Sequence, residues 1–165
     1  MHELLFEIGT EEIPAGYIQP ALDALAANGA RKLRDLGLGF GRVRTFGTPR
    51  RLTLVIDELQ ARQPDRRQEH IGPSKKAGFD PDGNLTKAAI GFARSRNLAP
   101  EQLQVVATAK GEYLVAVEDV QGQETMTLLP ELLESLVREL VFPKSMRWAY
   151  SSLTFARPIQ WFLGL

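Results

Sequence analysis

Apolar residues recur along this chain with two different periods, and this pattern constrains the fold more than any other feature of the sequence. Leucines and small residues follow a helical spacing over about 18–36 and again over 128–141. Short apolar or β-branched runs, typical of strands, lie at 4–8, 43–46, 52–56, 105–108 and 113–120. Because strands and helices do not alternate strictly, we predict an α+β fold in which several short helices pack on a mixed or antiparallel sheet.

Turn and capping residues mark the ends of several elements. Gly37 follows the first helical segment, where a left-handed C-terminal cap is common. Thr86 is placed to cap a short helix over about 87–97, and Thr127 is a candidate cap for the last long helix. The pair Lys110-Gly111 separates two strand-like runs and therefore predicts a hairpin.

The segment 60–84 differs from its surroundings in composition. It contains prolines, glycines and few apolar residues, together with a basic set, Arg62, Arg66, Arg67, Lys75 and Lys76. Segments of this kind are usually functional or disordered, so we predict a long exposed loop that could be mobile. Residues 1–165 together are predicted as one α+β domain, of which this loop is a part. The strongly apolar segment 153–165 indicates that the chain is a fragment, cut at its C-terminal end within a structural element.

Composition excludes several classes of protein. The chain has no cysteine and two histidines, which excludes a disulfide scaffold, a zinc ribbon, a thiol nucleophile and a multi-histidine metal site. No apolar run approaches the roughly 18 residues that a membrane span requires. The segment MHELLFEIGTEE has acidic residues where an export signal has lysine or arginine. We therefore expect a cytoplasmic protein with no membrane contact.

A net charge of zero conceals a strong segregation of charge along the chain. Residues 1–30 carry five acidic and no basic residues, whereas 31–76 carry twelve basic and five acidic ones. Residues 77–143 carry five basic and ten acidic residues, and 144–165 carry three basic residues and no acidic one. Such blocks are either ordinary solvated surface or a basic face suited to an anionic partner.

No motif forms a self-contained catalytic apparatus. The glycines at 37, 39 and 41 follow a helix and lack the dinucleotide-binding spacing, so a helix cap and turn is the better interpretation. Glu11 and Glu12 could bind a hard cation or act as an acid–base pair, but adjacent side chains on extended backbone point in opposite directions. Separate partners for the two carboxylates are therefore favoured. The sequence also lacks a P-loop and a nucleophile elbow. We predict no catalytic residue, metal site or cofactor in this chain.

Three motifs place cations beside turns and aromatic residues: FGTPRRL at 46–52, FPKSMRW at 142–148 and FARPIQW at 155–161. Guanidinium groups suit phosphate oxygens, and aromatic faces can stack on unpaired bases. Alternatively, Trp148, Phe155 and Trp161 are core residues, and Arg147 pairs with a carboxylate such as that of Glu7, Glu11 or Glu12. The residues taken singly leave both interpretations open.

These three motifs belong to a longer ordered series that also includes EIGTEEIP at 7–14, GPS at 72–74 and TKAAIGFAR at 86–94. In this order they resemble the beta subunit of bacterial tetrameric (alpha2 beta2) glycyl-tRNA synthetase. The resemblance covers nearly all 165 residues. That subunit is several times longer, so the resemblance implies that this chain is its N-terminal portion.

The resemblance implies that the chain is part of a glycine–tRNA ligase without being its catalytic part. In that family the alpha subunits form an adenylate from glycine and ATP, which assigns ATP and Mg²⁺ to the alpha subunit. The beta subunits supply most of the tRNA recognition. The implied partners are therefore the alpha subunit, a second beta subunit and glycine tRNA.

The role of this region within the subunit remains a hypothesis with alternatives. We expect contact with the tRNA acceptor arm, assembly with the alpha subunit, or both. The candidate contacts are Arg50, Arg51, Lys75, Lys76, Lys144, Arg147 and Arg157, and their candidate structural partners are Glu7, Glu11, Glu12, Trp148 and Trp161. The alternatives are a purely structural scaffold without RNA contact and an editing-like hydrolytic domain. Editing is disfavoured because glycine is the smallest amino acid, so a size-based second sieve would have little to remove.

Overall fold

The computed structural model of the chain describes residues 2–109, 111–148 and 152–165. Its elements in chain order are β1 (His2–Thr10), α1 (Ala15–Asp35), β2 (Val43–Thr48), β3 (Arg51–Leu59), β4 (Arg66–Ser74), α2 (Lys75–Gly78), α3 (Lys87–Ser95), β5 (Gln104–Thr108), β6 (Gly111–Val120), α4 (Thr125–Glu139), β7 (Met146–Arg147), β8 (Thr154–Phe155) and β9 (Ile159–Gly164). A short 3₁₀ turn lies at Pro100–Gln102. All strand pairs are antiparallel, which confirms the predicted α+β class.

The chain divides into two compact units where the sequence predicted one domain. The first unit extends to Pro64 and resumes at Gly122, and the second is Asp65–Gln121. The main hydrophobic core lies entirely within the first unit. The second unit buries apolar residues of its own, among them Ala89, Ala93 and Leu114. The sequence pattern did not reveal this division, because an inserted unit with a small core has the same strand and helix periods as its host.

The first unit contains a four-stranded sheet in the order β2-β3-β1-β9. On β1, Leu4, Phe6 and Ile8 alternate toward the core, as the period of a half-buried strand requires. The same sheet face receives α1, whose small residue Gly29 lies against Leu54 and Ile56 of β3. Residues of α4 complete this core. The first helix, its glycine cap (Gly37, φ 69°) and the strands β2 and β3 confirm the sequence predictions.

The second unit contains a three-stranded sheet in the order β4-β6-β5 and the helices α2 and α3. The Thr86 hydroxyl accepts a hydrogen bond from the amide of Ala89, which confirms the predicted N-cap of α3. Strands β5 and β6 confirm the predicted hairpin, although Lys110 of its turn lies outside the described residues.

The prediction of a loop over 60–84 was wrong in part. Most of these residues are exposed as expected, but β4 and α2 form within the segment. β4 is an outer strand whose backbone pairs with β6, and its sequence RRQEHIGPS lacks an apolar alternation. The hydrogen-bonded partner, which is distant in sequence, stabilises the strand, so local composition did not reveal it. The mobility of the segment stays a prediction.

The predicted cap of α4 also requires correction. The helix begins at Thr125, and its N-cap position is Glu124, so Thr127 lies within the first turn. The buried Thr125 hydroxyl donates a hydrogen bond to the Gln60 carbonyl at 2.6 Å. A tertiary contact thus fixes the start of this helix. Across the described part of the chain, no helix is both long and apolar enough to span a membrane.

Candidate nucleic-acid interface

Three of the predicted arginines lie at one end of the four-stranded sheet. Arg50 occupies the β2–β3 turn, Arg51 begins β3, and Arg157 precedes β9. They come together because β1 lies between β3 and β9, with Gly9 opposite both Arg51 and Trp161. The antiparallel register therefore joins two motifs that are about a hundred residues apart in sequence.

The loop after β1 is held between these two motifs by backbone hydrogen bonds. The amides of Thr10 and Ile13 bond to the carbonyls of Arg50 and Pro49, at 2.9 and 2.7 Å. On the other side, the amide of Glu11 bonds to the carbonyl of Pro158 at 3.0 Å. The glutamates of EIGTEEIP thus have a fixed position between the two basic motifs.

An open polar cleft of about 520 Å³ results, lined by Glu11, Glu12, Ile13, Pro14, Arg50 and Arg157. Arg50 Nη2 lies 3.2 Å from Glu12 Oε1, and Arg157 Nε donates to the Glu12 carbonyl at 2.9 Å. Gln160 Nε2 donates to Glu11 Oε1 at 3.1 Å. The two adjacent carboxylates therefore have separate partners, as the sequence favoured.

The Arg50–Glu12 ion pair is largely exposed, with 65% and 69% of the two side chains accessible. Exposed pairs of this kind contribute at most about 1 kcal/mol. An anion from outside can therefore replace Glu12 as the partner of Arg50 at little cost.

Arg51 is oriented by Trp161 and Glu7. Its guanidinium carbon lies 5.6 Å from the centroid of the Trp161 ring, within the range of a cation–π contact. Its Nη1 lies 3.6 Å from Glu7 Oε1, and Glu7 also accepts a hydrogen bond from the Thr53 hydroxyl at 2.6 Å. Glu7 is largely covered, whereas the Arg51 side chain is 59% exposed. The guanidinium is thus supported from the protein side and open to solvent.

The aromatic residues divide between the two interpretations that the sequence left open. Phe155 is fully buried, and the half-buried Trp148 packs against the core with its indole nitrogen donating to the Phe155 carbonyl at 3.1 Å. Trp161, in contrast, is 40% exposed. Its ring lies against Gly9, where an added Cβ would be 2.1 Å from the indole.

The other predicted cations of the first unit, Arg51, Lys144 and Arg147, do not line this cleft. Lys144 and Arg147 are exposed, and in the described residues no carboxylate pairs with Arg147. Glu7, Glu11 and Glu12 contact Arg51, Gln160 and Arg50 instead. Lys75 and Lys76 belong to the second unit, where Lys75 Nζ lies 2.9 Å from Glu112.

Sequence reasoning missed three residues that organise the site: Gly9, Thr53 and Gln160. Gly9 and Gln160 were noticed only as parts of motifs, and Thr53 carries no local signal. Their roles follow from the register of β1 with β3 and β9, which a single sequence does not specify. Within 2–109, 111–148 and 152–165, no group of three or more acidic or histidine side chains is arranged to hold a metal ion.

Charged groups elsewhere in the first unit support the fold. Arg44 of β2 bonds to Asp57 of β3 and lowers the pKa of that carboxyl, while the pKa of Arg44 is raised by the same bond. Lys32 of α1 bonds to Glu139 of α4 at 2.6 Å, and this bond lowers the pKa of Glu139.

Comparison with known proteins places the chain in a family. The family model described as glycyl-tRNA synthetase beta subunit matches residues 4–165. The glycine–tRNA ligase beta subunit of Trichlorobacter lovleyi is 49% identical over 163 residues, which are 99% of this chain and 24% of the relative. The corresponding subunit of Moorella thermoacetica is 47% identical with the same coverage, and that of Syntrophus aciditrophicus is 44% identical over 164 residues. The chain spans about a quarter of the length of these curated relatives.

Proposed function

This chain belongs to the glycyl-tRNA synthetase beta subunit family, and on that premise we propose that its first unit contacts the acceptor arm of glycine tRNA. The contacts are Arg50, Arg51 and Arg157. The observation that carries the proposal is the convergence of Arg50 and Arg157, from distant motifs, at one open cleft, with Arg51 next in the chain at the start of β3. In this account the cytoplasmic ligase joins glycine to its tRNA at the alpha subunit, where ATP and Mg²⁺ bind.

The chemistry of the cleft suits a sugar–phosphate backbone. Guanidinium forks bind phosphate oxygens through two parallel hydrogen bonds. The exposed Arg50 can exchange Glu12 for a phosphate. Arg51 keeps its orientation because its guanidinium group lies over the Trp161 ring. Phosphate contacts position an RNA without reading its bases. The cleft therefore holds the acceptor arm in place, and the choice of tRNA is made elsewhere in the enzyme.

A second candidate function is assembly, and a different observation favours it. Arg50 and Arg51 already have carboxylate partners within the unit, and Arg157 bonds to a backbone carbonyl. The same residues could therefore shape a rigid surface that the alpha subunit or a second beta subunit recognises. In that case the arginines support the loop after β1 and do not touch RNA.

Substitution in the assembled enzyme separates the two functions. We expect Arg50→Ala combined with Arg157→Ala to raise the Kd for glycine tRNA by roughly a hundredfold or more, because each of the two lost charge-assisted bonds is worth about 1.5–3 kcal/mol. Association of the alpha and beta subunits should be unchanged. The matched control is Arg31→Ala, another exposed arginine of the same unit that pairs with carboxylates, Asp35 and Glu139.

Filter binding would measure the affinity for tRNA, and sedimentation would measure subunit association. Normal tRNA binding together with loss of the alpha subunit would favour the assembly role. If both measurements matched the unsubstituted enzyme, neither function would belong to this cleft.

A further inference from the structure

Strand β9 has the side-chain pattern of an inner strand although it lies at the edge of its sheet. In the described residues, β9 pairs only with β1, and its other side has no neighbouring strand. The sequence IQWFLG places large apolar side chains on both sheet faces. Trp161 and Leu163 on one face are 40% and 38% exposed, and Phe162 on the other is 54% exposed. A strand that is apolar on both faces is typical of a position covered on both sides.

The backbone of β9 offers unpaired groups at this edge. The reciprocal bonds between Leu5 and Leu165, both 3.0 Å, define a hydrogen-bonded pair. Because such pairs alternate in an antiparallel ladder, the amides of Trp161 and Leu163 also point to β1. The amides of Phe162 and Gly164 therefore point to the open side.

Two of the usual protections of an outer strand, charged residues and proline, are missing from β9, and the one irregularity in its pairing with β1 lies at its start, between Ile159 and Trp161. Natural edges carry charges, prolines or bulges that oppose further pairing. The opposite edge of this sheet, β2, carries Arg44, and β4 of the second unit carries Arg66 and Arg67. The six residues of β9 include no charged residue and no proline.

An apolar cavity of about 390 Å³ opens beside this edge. Phe162, which stacks on Phe6 with ring centroids 6.1 Å apart, lines it together with Leu133 and Val137 of α4 and with Gly164. Alternate side chains of an added strand would point into this cavity. The free edge and the cavity thus require the same occupant, an extended apolar segment.

We propose that β9 accepts a further β-strand from the part of the beta-subunit polypeptide that lies outside residues 1–165. The relatives contain about three quarters of their length beyond the matched region, which supplies such a segment. The added strand completes the sheet, covers the apolar side chains of β9 and fills the cavity beside α4. This inference depends on family membership and not on the tRNA contact, so either can fail without the other.

Amide hydrogen exchange at single-residue resolution tests the proposal. The protein is a full-length beta subunit in which residues 1–165 replace the matching quarter of the Moorella thermoacetica subunit. The amides of Phe162 and Gly164 should exchange as slowly as those of Trp161 and Leu163, which serve as internal controls bonded to β1. Exchange of Phe162 and Gly164 more than about a hundredfold faster than the two controls would overturn the proposal. Protection that disappears on dilution would assign the edge to a second copy and would also overturn it.

Proline substitution provides an independent test in the same protein. Gly164→Pro removes an amide that points away from β1, and an added side chain meets no atom within 4 Å there. Proline is tolerated on a free edge but not within a sheet. Thr45→Pro, on the outer side of β2, is the matched change at the other edge of the sheet. Gly164→Pro should therefore lower the melting temperature by much more than Thr45→Pro does. Equal effects of the two prolines would contradict the added strand.

Discussion

At the residue scale, Gly9 determines how the candidate interface is built. Its missing side chain allows the Trp161 ring to cross β1, and that ring supports the Arg51 guanidinium. The sequence showed Gly9 within EIGTEEIP but gave no reason for a glycine there. The reason is Trp161, which is 152 residues away and opposite Gly9 only because β9 pairs with β1. Such a requirement is invisible without the register.

Gly9→Ala should therefore disturb both the fold and the orientation of Arg51. The new methyl group would lie within 2.1–2.5 Å of three indole atoms, so the ring must move. We expect a loss of about 1–3 kcal/mol in the free energy of unfolding, the usual cost of overpacking. Chemical denaturation would measure the loss, and tryptophan fluorescence would report the changed environment of Trp161.

Gly16→Ala is the control for this substitution. Gly16 lies in the first turn of α1, and an added Cβ there meets no atom within 4 Å. Alanine favours a helix over glycine, so the control should be neutral or slightly stabilising. A Gly9→Ala protein as stable as the control, with unchanged fluorescence, would show that Trp161 does not depend on Gly9.

At the scale of elements, helices were predicted better than strands. The period of α1 and the Thr86 cap of α3 are local signals, and both were confirmed. In contrast, β4 was missed because its pairing with β6 is not encoded in its own composition. The start of α4 was displaced for a similar reason, since Thr125 is fixed by Gln60 of a distant segment.

The two threonines at the start of α4 provide a direct comparison. Thr125→Val removes the hydroxyl that donates a hydrogen bond to the Gln60 carbonyl and should cost about 1–2 kcal/mol of stability. Thr127→Val changes an exposed residue of the same turn and should have an effect within about 0.5 kcal/mol. Thermal unfolding of the two variants would measure the difference. A larger loss for Thr127→Val would restore Thr127 as the cap of the helix.

The link between α1 and α4 should make stability depend on pH. Lys32 and Arg31 bond to Glu139, and the Lys32 bond holds the pKa of Glu139 below its ordinary value. A lowered folded-state pKa stabilises the protein above the unfolded pKa of about 4.3, and this stabilisation is lost as the pH falls through the folded value. Glu139→Gln should therefore be less stable than the unsubstituted protein at pH 7, and the difference should disappear in acid.

Melting temperatures at pH 7, 5 and 3 would test this dependence. Glu134→Gln is the control, since Glu134 lies on the same helix and forms an exposed ion pair with Arg138, one turn away. At pH 7 the melting temperature of Glu134→Gln should differ less from that of the unsubstituted protein than the melting temperature of Glu139→Gln does. If the effect of Glu139→Gln were the same at all three pH values, the ion pair between the helices would not be its cause.

At the scale of the whole molecule, the sequence predicted the family more completely than the architecture. Ordered motifs indicated a glycyl-tRNA synthetase beta subunit, and the family match over residues 4–165 confirms it. The division into two units was not predicted. It assigns Lys75 and Lys76 to a different unit from Arg50 and Arg157. Motif order preserves ancestry, whereas the grouping of cations in space depends on strand pairing. This is why, of the five candidate cations in the first unit, only Arg50 and Arg157 line the cleft, while Arg51 lies at the start of β3.

The central claim is that Arg50, Arg51 and Arg157 bind RNA phosphates, and the salt dependence of tRNA binding tests it most directly. The assembled enzyme and its triple alanine variant would be titrated with glycine tRNA between 50 and 300 mM salt, with Arg31→Ala as the control and a thermal melt to verify folding. Each phosphate contact contributes about −0.7 to −0.9 to the slope of log affinity against log salt, so the triple variant should have a slope less steep by roughly 2 to 3. A triple variant that is folded and has an unchanged slope would contradict the account.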